Sequence, residues 1–128
     1  MTALVLGLML GADPSAAYLS AARNLYRELD YEAALEQLGS ARRVVSERAL
    51  SRRAELEVWR GLVLLHLGRD AEARTALVTA LSLDPSARLP EPVSPRVSAV
   101  FDAVKRALAP VAQRRSTRAR TSDGRPRS

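Results

Sequence analysis

The sequence contains no cysteine, a single histidine and few aromatic residues. The absence of cysteine excludes disulfide bonds, thiolate zinc sites and a thiol nucleophile. With His66 alone, a metal site built from several histidines is also excluded. Aromatic residues make up 4% of the chain and hydrophobic residues 47%, so most of the apolar mass is alanine, leucine and valine. That composition is typical of closely packed helices.

The whole chain carries a net charge of +6, and most of this positive charge lies near its C-terminal end. Residues 111–128 contain six arginines and one aspartate, and therefore contribute +5 of it. The arginines are Arg114, Arg115, Arg118, Arg120, Arg125 and Arg127. The shortage of apolar residues predicts a disordered tail over 110–128. Three roles stay open for this tail: non-specific phosphate binding to nucleic acid, contact with an anionic membrane surface, or no function.

The first 14 residues include a short apolar run, ALVLGLML, at positions 3–10. It resembles the hydrophobic region of a secretory signal, although no basic residue precedes it. The alternative is a first helical segment that packs against the domain. We favour export, which predicts the bacterial envelope or periplasm rather than the cytoplasm.

Apolar residues recur at spacings of three and four over residues 15–109, which predicts five helices. Asp13, Pro14 and Ser15 are typical of a helix start. The predicted helices end near Leu29, near residue 45, at Leu67, at Leu83 and near Leu108. Pro110 is expected to end the fifth helix.

Two of the helix pairs repeat each other at an offset of 39 residues. The residues that carry the repeat are small residues and a terminal proline: Ala34, Ala41, Gly61, Gly68, Ala73, Ala80 and Pro85. In these positions the chain resembles the tetratricopeptide-repeat family, in which small residues let helices approach closely. It departs from the family at Leu29, where the turn glycine is expected. The resemblance implies an all-α fold of two repeats and a C-terminal capping helix, and an ordinary pair of helical hairpins is the alternative.

The resemblance also implies a protein–protein interaction module, a scaffold or adaptor that binds a partner's peptide or helix in a concave groove. The groove would be lined by Leu19, Arg23, Tyr26, Arg27, Val58, Leu62, Leu65 and His66. Such a lining, apolar with a cationic edge, suits an acidic and apolar partner segment. The alternative for each residue is packing in the core, and Trp59 is interpreted as a core residue. Self-association through an incomplete end of the stack is a further prediction.

Residue patterns for catalysis are missing from the chain. We find no glycine-rich phosphate loop, paired-carboxylate motif or Ser-His-Asp arrangement. The sequence therefore predicts a non-enzymatic protein without a cofactor, a metal or a small-molecule substrate. The alternative function is a nucleic-acid-associated protein that uses the arginine-rich tail for phosphate binding.

Overall fold

The computed structural model describes residues 13–121, with side chains up to residue 109. Over this range the chain forms five helices, which confirms the predicted all-α fold. They are α1 (Pro14–Arg27), α2 (Tyr31–Val44), α3 (Leu50–His66), α4 (Asp70–Leu83) and α5 (Pro95–Thr121). Helices α1 and α2 pack as one pair and α3 and α4 as a second. None of the described helices is long and apolar enough to cross a membrane.

Two predictions concern residues outside the described range. The export signal was predicted within residues 1–14, of which only the last two are described. Arg125 and Arg127 of the predicted tail lie beyond Thr121.

Asp13 caps the first helix, as the sequence pattern indicates. The backbone N–H of Ser15 donates to Asp13 Oδ1 at 2.9 Å, and the Ser15 hydroxyl donates to the same oxygen at 2.6 Å. Arg52 Nε lies 3.2 Å from the other carboxylate oxygen. These hydrogen bonds to Ser15, with the smaller effect of Arg52, lower the pKa of Asp13. The cap therefore also ties the start of α1 to α3.

The two helix pairs turn in the same way. Leu29 has a φ of 65° and Gly68 a φ of 76°, so both lie in the left-handed region. In each turn the next residue, Asp30 or Arg69, donates its N–H to the carbonyl five residues earlier at 2.9 Å. This is the hydrogen bond of a Schellman turn, and it recurs at the 39-residue offset read from the sequence. Leu29 thus occupies the glycine position of the turn.

Helices α3 and α4 approach each other closely at Gly61. A Cβ atom at this position would lie 2.7 Å from Leu77 Cδ2 and 3.4 Å from the carbonyl oxygen of Ala73. Ala73 and Ala80 are themselves fully buried on the facing side of α4. The separation of the two helices is therefore set by small residues.

Helix α5 runs in the same direction as α4. Arg96 Nη2 lies 3.2 Å from Asp70 Oδ1 where both helices start, and Phe101 and Val104 pack farther along with Leu77 of α4. The connection between them, residues 84–94, must therefore return along α3, and we call it the return segment. Its side chains Ala87, Leu89 and Val93 are half-buried against the core of α3 and α4.

Helix α5 continues through Pro110 to Thr121, which corrects the predicted end of this helix. The sequence placed its end near Leu108, with Pro110 as the residue that ends it. The disordered tail over 110–128 stays a prediction. A proline in a helix removes one amide donor, but the residues around Pro110 are mainly alanine, arginine and glutamine, which favour helix. The continuation contains Arg114, Arg115, Arg118 and Arg120.

The matched turns predict opposite effects of glycine at two positions. Leu29→Gly removes a side chain from a left-handed residue and should stabilise the protein by about 0.5–1 kcal/mol. Gly68→Ala should destabilise it by about 1 kcal/mol, although nothing lies within 4 Å of the new Cβ. Chemical denaturation measures both values. Effects of the same sign at the two positions would contradict the equivalence of the turns.

The packing of α4 predicts that enlarging Ala80 destabilises the protein. Ala80→Leu should cost about 1–3 kcal/mol because the methyl group of Ala80 is fully buried in the core. Ala71→Leu, at an exposed position of the same helix, is the matched control and should change little. Thermal or urea unfolding of both variants tests this, and equal effects would contradict the described packing.

Candidate partner-binding surface

Half of the residues predicted to line a groove lie in the core. Leu19, Val58, Leu62 and Leu65 are each at most 2% exposed. Leu19 packs between the first helix pair and α3, whereas the other three pack with Val97 and the return segment. The prediction that they line an open groove is therefore corrected to core packing. The physical reason is that the chain covers this face of α3 with its own return segment and α5.

The other predicted groove residues remain at the surface, and two of them touch. Tyr26 Oη lies 2.9 Å from His66 Nε2, in hydrogen-bonding contact. The ring of Tyr31 stacks on His66 with centroids 4.6 Å apart and planes 4° from parallel. Tyr26 also meets Trp59 edge to face, with centroids 5.3 Å apart. We call Tyr26, Tyr31, Trp59 and His66 the aromatic cluster.

The turn at Leu29 brings the aromatic cluster together. Tyr26 lies in the last turn of α1 and Tyr31 is the first residue of α2, so the chain reversal places both beside α3. Their rings meet edge to face with centroids 5.6 Å apart. The cluster contains three of the five aromatic residues and the single histidine of the chain. Its tyrosines and tryptophan are half-buried and His66 is exposed, so the cluster forms part of the surface.

Sequence reasoning missed half of this cluster. Tyr31 was not identified, and Trp59 was assigned to the core although it is half-buried. The signal for Tyr31 was its position just after the turn that follows Tyr26, because residues on either side of a helical hairpin turn lie close together.

The two hydrogen-bonded groups of the cluster, Tyr26 and His66, both have shifted pKa values. Burial lowers the pKa of His66 below 6.5, and the positive charge of Arg96 lowers it further. Burial, with a smaller contribution from Tyr31, raises the pKa of the Tyr26 hydroxyl above 10.0. The tautomer of His66 decides which of the two groups donates the hydrogen bond.

Arginines lie beside the cluster on α1. Arg23 precedes Tyr26 by three residues, and Arg27 directly follows it. Arg23 Nη1 lies 3.9 Å from Glu55 Oε2, which is a weak ion pair at an exposed site. Arg27 donates to the neutral side chain of Asn24 at 3.2 Å. These two arginines therefore place positive charge beside the cluster on α1, close to the acidic residues of the Leu29 turn.

The cluster presents ordered rings with polar tips. His66 contacts two tyrosines, and stacking against Tyr31 fixes its ring. Within residues 13–109, no three histidine, cysteine, aspartate or glutamate side chains are grouped to hold a metal ion. Rigid aromatic side chains with polar tips are the groups that protein interfaces use as anchors.

Comparison with known proteins adds no relative. The chain matches no protein-family model, no curated protein and no solved structure.

The environment of His66 predicts a low titration midpoint. As the only histidine, it can be followed by NMR without assignment of others, and its pKa should lie below 6.5. Arg96→Ala should raise the midpoint because it removes a nearby positive charge, whereas Arg74→Ala, at an exposed position of α4, should not. Because the pKa is lower in the folded state, stability from this group is complete above about pH 6.5 and is lost as the pH falls towards the folded value. A midpoint at or above 6.5 would contradict the described environment.

Proposed function

We propose that this chain is a non-enzymatic protein–protein interaction module, a scaffold or adaptor, whose partner binds at the aromatic cluster. The observation that carries the proposal is the gathering of Tyr26, Tyr31, Trp59 and His66 in one half-buried surface cluster. Tyrosine and tryptophan are enriched among the residues that dominate interface energies, because they bury a large area with few rotatable bonds. The chain has few aromatics, and most of them are placed here.

The charge beside the cluster supports a partner segment that is apolar and acidic. Arg27 has a neutral described partner, and Arg23 is only weakly paired with Glu55. Acidic groups on the partner would meet these guanidinium groups at the rim, while apolar groups would cover the rings. Rim charges of this kind mainly change the association rate and the selectivity for partners.

Membership of the tetratricopeptide-repeat family is part of the proposal. The repeated turn geometry of Leu29 and Gly68 and the close contact at Gly61 support it. The proposed surface differs from the family's concave groove, since the return segment covers that face of the second helix pair.

The arginine-rich end of the chain supports a second candidate, a nucleic-acid-associated protein. Residues 111–128 carry +5 of the net charge, and α5 continues as far as Thr121. Binding of this kind would depend steeply on salt.

Site-specific photo-crosslinking in native lysate tests the proposal. A photoreactive phenylalanine analogue at position 31 should crosslink one protein reproducibly, and the same analogue at the exposed Tyr18 of α1 should not. Nuclease treatment should leave the crosslink unchanged. Equal crosslinking from positions 18 and 31 would contradict the proposal. If nuclease or high salt abolishes the crosslinked product, the result would favour the nucleic-acid alternative instead.

The proposal predicts which variants weaken binding of the crosslinked protein. Tyr31→Ala should cost about 2 kcal/mol, roughly thirtyfold in Kd, because it removes an interface anchor. Tyr18→Ala is the matched control and should leave the Kd unchanged. Thermal unfolding verifies that both variants fold. Equal losses of affinity in Tyr31→Ala and Tyr18→Ala would contradict the proposed surface.

A further inference from the structure

A second concave surface lies where α2 and α4 flank α3, and it shares no residue with the aromatic cluster. It is a cavity of about 420 Å³. Its lining consists of Gly39, Arg42, Arg43, Val45, Arg53, Leu56, Glu57, Thr79 and Leu83. We call it the arginine groove.

Glu57 is a buried carboxylate at this groove. It is 5% exposed, and its Oε1 lies 2.7 Å from Arg42 Nε of the neighbouring helix. Arg60 Nη1 lies 3.8 Å from the other carboxylate oxygen. An unpaired carboxylate in this position would cost several kcal/mol, so Glu57 holds Arg42 against α3.

The other two arginines of the groove meet neutral acceptors. Arg43 Nη2 donates to the Ser40 hydroxyl at 3.0 Å, and Arg53 Nη1 donates to the backbone carbonyl of Glu47 at 3.1 Å. The described contacts of these two guanidinium groups therefore fix their positions without neutralising their charge. The cavity is lined by three positively charged guanidinium groups and one negatively charged carboxylate, that of Glu57. The lining therefore has a net charge of two positive units.

We propose that the arginine groove binds a phosphate monoester. A phosphate monoester carries a charge of about −1.5 to −2 near pH 7, which matches this net positive charge, whereas a single carboxylate would balance only part of it. The planar guanidinium group can bond two phosphate oxygens at once. The cavity volume lies within the usual range for small-ligand sites, and the half-buried Val45 and Leu83 offer apolar surface to the organic part of the ester. A free phosphate ester and a phosphorylated protein side chain share this chemistry.

Titration of the full-length protein with phenyl phosphate at low salt tests the proposal. Backbone amide NMR shifts should change at Gly39 and Glu57 in the groove. Benzenesulfonate has a similar shape and one charge fewer, and it should bind at least about tenfold more weakly. A phosphotyrosine peptide distinguishes a phosphorylated protein from a free phosphate ester. If the peptide binds more tightly than phenyl phosphate, the ligand is a phosphorylated protein, and if it binds more weakly, the ligand is a free ester. Absence of phenyl phosphate binding at millimolar concentration would overturn the proposal.

Arginine variants locate the site. The double variant Arg43→Gln with Arg53→Gln should lose at least about tenfold in affinity for phenyl phosphate, because it removes the net positive charge of the lining. Arg74→Gln removes an exposed arginine of α4 outside the groove and should retain the affinity. Unfolding curves show whether each variant is folded. Equal losses in the double variant and in Arg74→Gln, or equal affinities for the phosphate and the sulfonate, would show general attraction of anions and overturn the proposal.

Discussion

The burial of residues 61–65 of helix α3 on all sides is the constraint on which the rest of the structure depends. Five consecutive residues, 61–65, are buried, and successive helical residues point about 100° apart, so every face of this helix needs a cover. The first helix pair covers one side and α4 a second, where Gly61 permits the contact with Leu77. The return segment and α5 cover the remainder. Two helix pairs alone would leave this apolar face exposed to water.

The helix pairs could be predicted from the sequence because their signals are local. Periodic apolar residues, the cap at Asp13 and the glycine turn at Gly68 depend on neighbouring residues, and each has its counterpart in the structure. The path of the return segment could not be predicted in this way. The return segment contains three prolines, and its sequence has no periodicity that indicates which surface it packs against. Val58 and Leu62, which it covers, were therefore predicted to line an open groove. The unbroken apolar run at 61–65 was the available sign that α3 is buried all round.

The candidate sites, like the return segment, depend on tertiary contacts that the sequence does not reveal. Tyr26 and His66 were identified from the repeat register, but their contact and the stacking of Tyr31 depend on how the Leu29 turn places α2. Glu57 was missed because a glutamate among helical charges is normally solvated. Its burial depends on Arg42, which comes from another helix. Pairs of this kind are set by tertiary packing, and helical spacing within one element does not reveal them.

Two candidate binding surfaces lie around helix α3. The aromatic cluster offers rings with arginines beside them, and the arginine groove offers guanidinium groups around a buried carboxylate. Both depend on α3 being held in place, since Trp59, His66, Arg53 and Glu57 all project from it. The return segment therefore has two effects: it completes the core, and it covers the face of α3 on which the groove was predicted.

Methyl–methyl nuclear Overhauser effects in the full-length protein test whether α5 covers α3. We expect cross-peaks between the methyl groups of Val97 in α5 and those of Leu62 or Leu65 in α3, because these residues belong to one buried cluster. Absence of these cross-peaks in a folded sample, together with solvent-accessible methyl groups at Leu62 and Leu65, would contradict this arrangement. The concave face would then be open, and the partner surface would have to be placed there.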